Sequence, residues 1–139
     1  MSARRAPTWW RRLGRSSASA SLAHDRVARA LVVAAARRDA GGVRRLVAST
    51  AALTVDSGGR TPAPTSVLSG GDEVTAYLTA AFFDPAVQLV VETVNGLPGI
   101  VVRDRGTVAG VLVIAVRYGT VQQAWLVTNP DKLRHWNTR

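Results

Sequence analysis

Asp56 and Glu92 are the only carboxylates on stretches patterned as β-strand, which makes them the candidates for proton transfer. A carboxylate held in an apolar pocket has its pKa raised and can then act as a general base. The local pattern argues against Glu92 in that role. Val87, Leu89 and Val91 share one parity, while Gln88 and Glu92 share the other, which points Glu92 to solvent. Asp56 opens the segment Asp56-Ser57-Gly58-Gly59-Arg60, which reads as a turn whose glycines supply unusual backbone angles. With 0 cysteines, thiol catalysis, disulfides and zinc–thiolate sites are excluded. The 2 histidines, His24 and His135, lie near opposite ends of the sequence and form no metal cluster or nucleophile–histidine pair. Neither hydrolytic nor metal-dependent activity is expected, and no cofactor is implied.

A second segment combines several interaction chemistries. In Asn129-Pro130-Asp131-Lys132-Leu133, opposite charges stand beside an apolar residue, a mixture suited to a specific protein contact. The same residues also suit a helix start: Asn129 as cap, Pro130 at the first helical position, and Asp131 at the positive end of the helix dipole. Tyr77, Phe82, Phe83 and Trp125 read as core. Tyr77, Phe82 and Trp125 are the residues expected to line a pocket if one is open.

The elements that must position these residues follow from periodicity. Ser21 to Arg38 reads as a helix stopped by Gly41 and Gly42, and Val43 to Ala48 as a second, short helix. Leu53 to Asp56 alternates as a brief strand, and Ser57 to Leu68 is a loop punctuated by glycines and prolines. Ser69 and Asp72 suggest a capping box, followed by one apolar stripe of Val74, Tyr77, Leu78, Ala81 and Phe82. After Pro85 the period changes to two. Turns at Asn95-Gly96, Asp104–Gly106 and Tyr118-Gly119 separate four antiparallel strands, and Pro130 to Trp136 makes a final helical turn. The order predicts an α+β fold: a cone-shaped, curved antiparallel sheet packed on about three helices.

At 139 residues the chain fits one domain with a sizeable core. The net charge of +9 is unevenly placed: residues 1–45 carry 11 arginines and 2 aspartates, whereas the rest is neutral. Residues 1–20 therefore read as a basic disordered arm, and residues 21–139 as the folded domain. Any grip of the arm on nucleic acid would be non-specific and salt-sensitive, with Trp9 and Trp10 adding stacking. The longest strongly apolar stretch free of charge, Thr107 to Val116, is 10 residues, too short to span a bilayer. No secretory leader is expected, and the bias of arginine over lysine suits a GC-rich bacterial genome; the expected location is cytoplasmic.

These motifs resemble those of SnoaL-like domains of the nuclear-transport-factor-two-like superfamily, and most of all the C-terminal domain of one group of extracytoplasmic-function sigma factors. Asp56–Arg60 stands where that group has a DGGGK motif, with Ser57 for a glycine and Arg60 for the lysine. Val94-Asn95-Gly96-Leu97-Pro98-Gly99 is similar to its hairpin motif, and Asn129–Leu133 matches its NPDKL motif unaltered. The resemblance covers about Leu22 to Trp136 and lacks the promoter-reading helices of a complete sigma factor. It implies a regulatory module, either stand-alone or severed from its sigma core, acting on transcription through a sigma core or RNA polymerase. Asp56, Ser57, Gly58, Gly59, Arg60, Asn129, Pro130, Asp131, Lys132 and Leu133 are then the partner-binding residues. On that reading, replacing Asp131 and Lys132 together should weaken the partner contact and leave stability nearly unchanged. The alternative, from enzymes of the same superfamily, is a small isomerase or cyclase, or a ligand-binding protein, acting on an apolar carbonyl compound. A homodimer is compatible with either.

Overall fold

The computed structural model describes residues 18–58, 65–94 and 96–137. Four helices and six strands follow in the order α1 (Ala18–Ala36), α2 (Ala40–Leu46), β1 (Val47–Asp56), β2 (Thr65–Ser69), α3 (Gly71–Phe82), β3 (Val87–Val94), β4 (Leu97–Asp104), β5 (Thr107–Arg117), β6 (Thr120–Val127) and α4 (Pro130–Asn137). The part of the foreseen arm up to Ser17 lies outside the described residues, and Ala18 to Ala20 already belong to α1.

The α+β class stands, but the expected cone of antiparallel strands on about three helices does not. The six strands are ordered β2-β1-β6-β5-β4-β3 in an open sheet with edges at β2 and β3, neither closed nor strongly curled. The sheet is mixed, because β1 runs parallel to β6. Local patterning could not carry this result. The partner of β1 lies far along the chain, and β2 has only two apolar residues, Val67 and Leu68, beside the loop prolines. Strand β1 also begins directly at the end of α2, inside the stretch that reads as helix.

Helix boundaries shift for identifiable reasons. Helix α1 ends in a Schellman-type turn, with Arg38 N–H donating to Ala35 O (3.0 Å) and Asp39 N–H to Ala34 O (2.9 Å). The left-handed residue there is Arg38 (φ 52°), not a glycine. Asp39 then caps α2 by accepting from Gly42 N–H at 2.8 Å, which draws Gly41 and Gly42 into the new helix. Any Cβ on Gly42 would come within 2.5 Å of that capping carboxylate. The capping box foreseen at Ser69 is not formed: Gly70 is the N-cap of α3, and Asp72 pairs with Arg44 at 2.8 Å. The same guanidinium donates to Val47 O at 2.9 Å, tying α2 to the start of β1 and to α3.

The four strands after Pro85 have the register that their turns predict. Arg105 and Gly106 (φ 52° and 85°), and Tyr118 and Gly119 (φ 58° and 74°), form two-residue turns of the mirror-image type that suits hairpin twist. The pairing slips by one residue in two places. Between β4 and β5, Val102 faces Gly110 while Arg103 faces Val108, so Ala109 is bulged out. Between β5 and β6, the shift beside Val116 is accompanied by a buried acceptor: Val116 N–H donates to His24 Nε2 at 3.2 Å.

The sheet has two apolar faces. On the helix side, Leu53, Ile100, Leu112, Ile114 and Leu126 pack against Val27 and Leu31 of α1 and Val74, Leu78 and Phe82 of α3. On the outer side, Val101, Val108, Val111 and Val113 are covered by Leu133 and Trp136 of α4. Among the described residues, no helix is long and apolar enough to cross a membrane, and no group of three acids or histidines could hold a metal ion.

Candidate functional site

The two segments singled out by sequence meet each other. Asp56 ends β1 on the outer face, and its carboxylate, 7% exposed, pairs with Lys132 Nζ of α4 at 2.5 Å. The other oxygen of Asp56 accepts from Gly58 N–H at 3.2 Å, and its main-chain oxygen accepts from Thr128 N–H (2.8 Å) and Asn129 N–H (3.1 Å). Gly58 has φ 67°, and a Cβ there would lie 2.2 Å from the Asn129 side chain. That side chain caps α4 by accepting from Asp131 N–H at 3.1 Å. Lys132 also stands 5.5 Å above the Trp125 ring, and Leu133 is buried in the outer core. These residues are therefore engaged within the fold, where the two segments form one joint that fastens α4 over the sheet. Asp131 differs, being exposed and paired with Arg134 at 3.0 Å. Lys132 is half-buried against a buried carboxylate, which argues against the expectation that the double replacement leaves stability nearly unchanged, whereas Asp131 alone is a surface group. Gly59 and Arg60 lie outside the described residues.

Glu92 is also on the outer face, opposite Gly99, 37% exposed and 3.9 Å from Arg103. Both sequence candidates for a general base thus lie across the sheet from α3. Trp125 belongs to that outer face as well, while Tyr77 and Phe82 belong to a hollow on the helix side.

This hollow encloses about 330 Å³ between the second half of α3 and the sheet. Tyr77, Ala81 and Phe82 form its roof, Val102, Asp104, Gly110 and Leu126 its floor, and Asp84 and Thr128 stand on its wall. It stays open because small residues face each other: Ala80 and Ala81 on the helix, and Ala109 and Gly110 at the bulge of β5. The volume falls at the small end of the range for ligand sites, about 300–1,000 Å³. Asp104, which reads as a turn residue, and Ala109, Gly110 and Thr128 are lining residues that sequence reasoning missed. The available signal was a glycine inside a strand pattern, which marks a bulge or a close approach.

Burial pushes the Tyr77 phenol above its ordinary value of 10.0. The neutral phenol is thus favoured in the folded chain. Its contribution to stability is present below pH 10 and is lost as pH rises through the folded value. Tyr77 is one of 2 tyrosines, so a Tyr118→Phe protein reports it alone. The tyrosinate absorbance of that protein should rise at higher pH when folded than in denaturant; coincident midpoints would contradict the burial.

Comparison with known proteins places the fold. No protein-family model matches the sequence, and no curated protein sequence is significantly similar. Among solved structures, the chain is similar to the extracytoplasmic function sigma factor SigJ of Mycobacterium tuberculosis, with 28% identity and a TM-score of 0.61. That match covers 81% of this chain and 44% of the sigma factor, so the chain spans less than half of that protein's length. A computationally designed 17-OHP binder matches at 17% identity and TM-score 0.59, over 78% of this chain and 92% of its own. The Mycobacterium tuberculosis protein RV0760c, solved in complex with estradiol-17beta-hemisuccinate, matches at 14% identity and TM-score 0.57, over 78% and 95%. The chain has the nuclear-transport-factor-two-like, SnoaL-like fold, and its similarity extends to the C-terminal domain of an extracytoplasmic-function sigma factor.

Proposed function

We propose that this chain binds a small apolar carbonyl compound in the hollow beneath α3, with the Tyr77 hydroxyl donating to the carbonyl oxygen. The observation that carries the reading is the composition of the wall: apolar and small side chains, with Tyr77, Asp84, Asp104 and Thr128 as the polar groups that would orient a ligand. The Tyr77 phenol is protonated at neutral pH already at its ordinary value of 10.0, and burial pushes it further up, so it is a donor there. Support also comes from two proteins of the same fold, one designed to bind 17-OHP and one solved with a steroid hemisuccinate. The reading is one of binding without chemistry. Proton abstraction in the hollow would fall to Asp104 or Asp84, since Asp56 and Glu92 are across the sheet.

The test is a calorimetric titration with α-tetralone, a compact ring ketone. Tyr77→Phe removes one hydrogen bond worth about 1.4 kcal/mol, so affinity should fall about tenfold while melting is retained. Unchanged affinity in Tyr77→Phe would remove the tyrosine from the site, and no heat from the unaltered protein would reject the reading.

A second reading, regulation of transcription through a sigma core or RNA polymerase, is favoured by the similarity to SigJ. Its surface would centre on the exposed Asp131 and Arg134 of α4, because Lys132 and Leu133 are engaged internally. Co-purification of the chain with a sigma core or polymerase tests it, and failure to form a complex with either would exclude it.

A further inference from the structure

We infer a second ligand site, for an amphipathic carboxylate, between the end of α1 and the free edge of the sheet. A hollow of about 420 Å³ lies there, walled by Val32 and Ala35 of α1, Phe83 after α3, and Leu89 of edge strand β3. Among the described residues no strand covers β3 on its outer flank, so an extended hydrocarbon chain can enter along the edge. Phe82 and Val87 line both this hollow and the one beneath α3, forming the partition between them.

Arg38 supplies the ligand class. It lines the hollow and holds φ 52°, a left-handed conformation at the end of α1 where glycine is the usual residue. The turn itself does not require a side chain there, since its two hydrogen bonds come from main-chain N–H groups of residues 38 and 39. The Arg38 guanidinium has no hydrogen bond or ion pair with any described residue. Asp84 is the acid on the same lining. Its Oδ1 accepts from Ala86 N–H at 2.8 Å, and it does not pair with Arg38. An exposed planar cation that no described residue pairs, at the rim of a hollow with an apolar side, fits a carboxylate head bound by the guanidinium fork, with a hydrocarbon tail buried against Phe83 and Leu89.

The experiment compares decanoate with decan-1-ol, which share a tail length and differ in head-group charge, by titration of the full chain. Decanoate should bind at least about tenfold more tightly. Arg38→Gly, which suits the left-handed position, should melt no lower than the unaltered protein yet bind both compounds equally and weakly. Arg38→Gln removes the charge while keeping a Cβ and should give the same loss of preference. Asp84→Asn, which keeps the turn acceptor and removes the nearby negative charge, should tighten decanoate severalfold. Equal affinity for acid and alcohol in the unaltered protein, no binding of either, or a preference that survives both Arg38 variants would overturn the inference. Displacement of bound α-tetralone by decanoate would also overturn it, by placing decanoate in the hollow beneath α3.

Discussion

Lys132→Ala is expected to lower the stability of the folded chain by about 3 kcal/mol, a large fraction of the stability of a domain this size. The lysine is 31% exposed, but its partner Asp56 is 7% exposed, so the substitution strands a carboxylate that is out of water. The Coulomb partner, the cation over Trp125 and the fastening of α4 are lost together. Exposed pairs behave differently. Asp131→Ala, which breaks only the surface pair with Arg134, should change stability by about 0–1 kcal/mol. Denaturant unfolding checks both. The double variant Asp56→Asn with Lys132→Met should recover much of the loss, because no unpaired charge remains buried. If Lys132→Ala and Asp131→Ala behave alike, the joint between the two segments is not holding α4.

Ala81→Phe is expected to abolish binding of α-tetralone at concentrations that saturate the unaltered protein. Ala81 sits on the roof of the hollow and is only partly buried, so a phenyl group there can occupy the space that a ligand would take. Since the ring enters an open volume and not a packed one, melting should fall little. This separates occlusion from unfolding. A variant that binds as well as the original would mean that the ketone sits elsewhere.

How far the sequence could be read depended on whether a feature was local. The hairpins at Asp104–Gly106 and Tyr118-Gly119 were legible because two-residue turns fix register by their own backbone angles. The stripe Val74, Leu78 and Phe82 was legible because helical spacing alone decides which face is buried. Strand β2 and the parallel pairing of β1 with β6 were not, since neither leaves a local pattern. The site divides in the same way. Glu92 was read as facing solvent from alternation alone, and it lies on the outer face. The joint of Asp56 with Lys132 joins residues 76 positions apart in sequence, and no spacing rule brings them together. The hollow was hidden because its floor is made by the bulge at Ala109, where the alternation of β5 changes phase.

The most direct test of the ligand reading is an amide chemical-shift titration of the labelled chain with α-tetralone. Shifts should concentrate at Tyr77, Ala81, Asp104, Gly110 and Thr128, which belong to different elements and meet only around the hollow. They should saturate with one dissociation constant and be absent in Ala81→Phe. Shifts confined to the outer face around Trp125 and α4, or none at about millimolar ligand, would contradict the account.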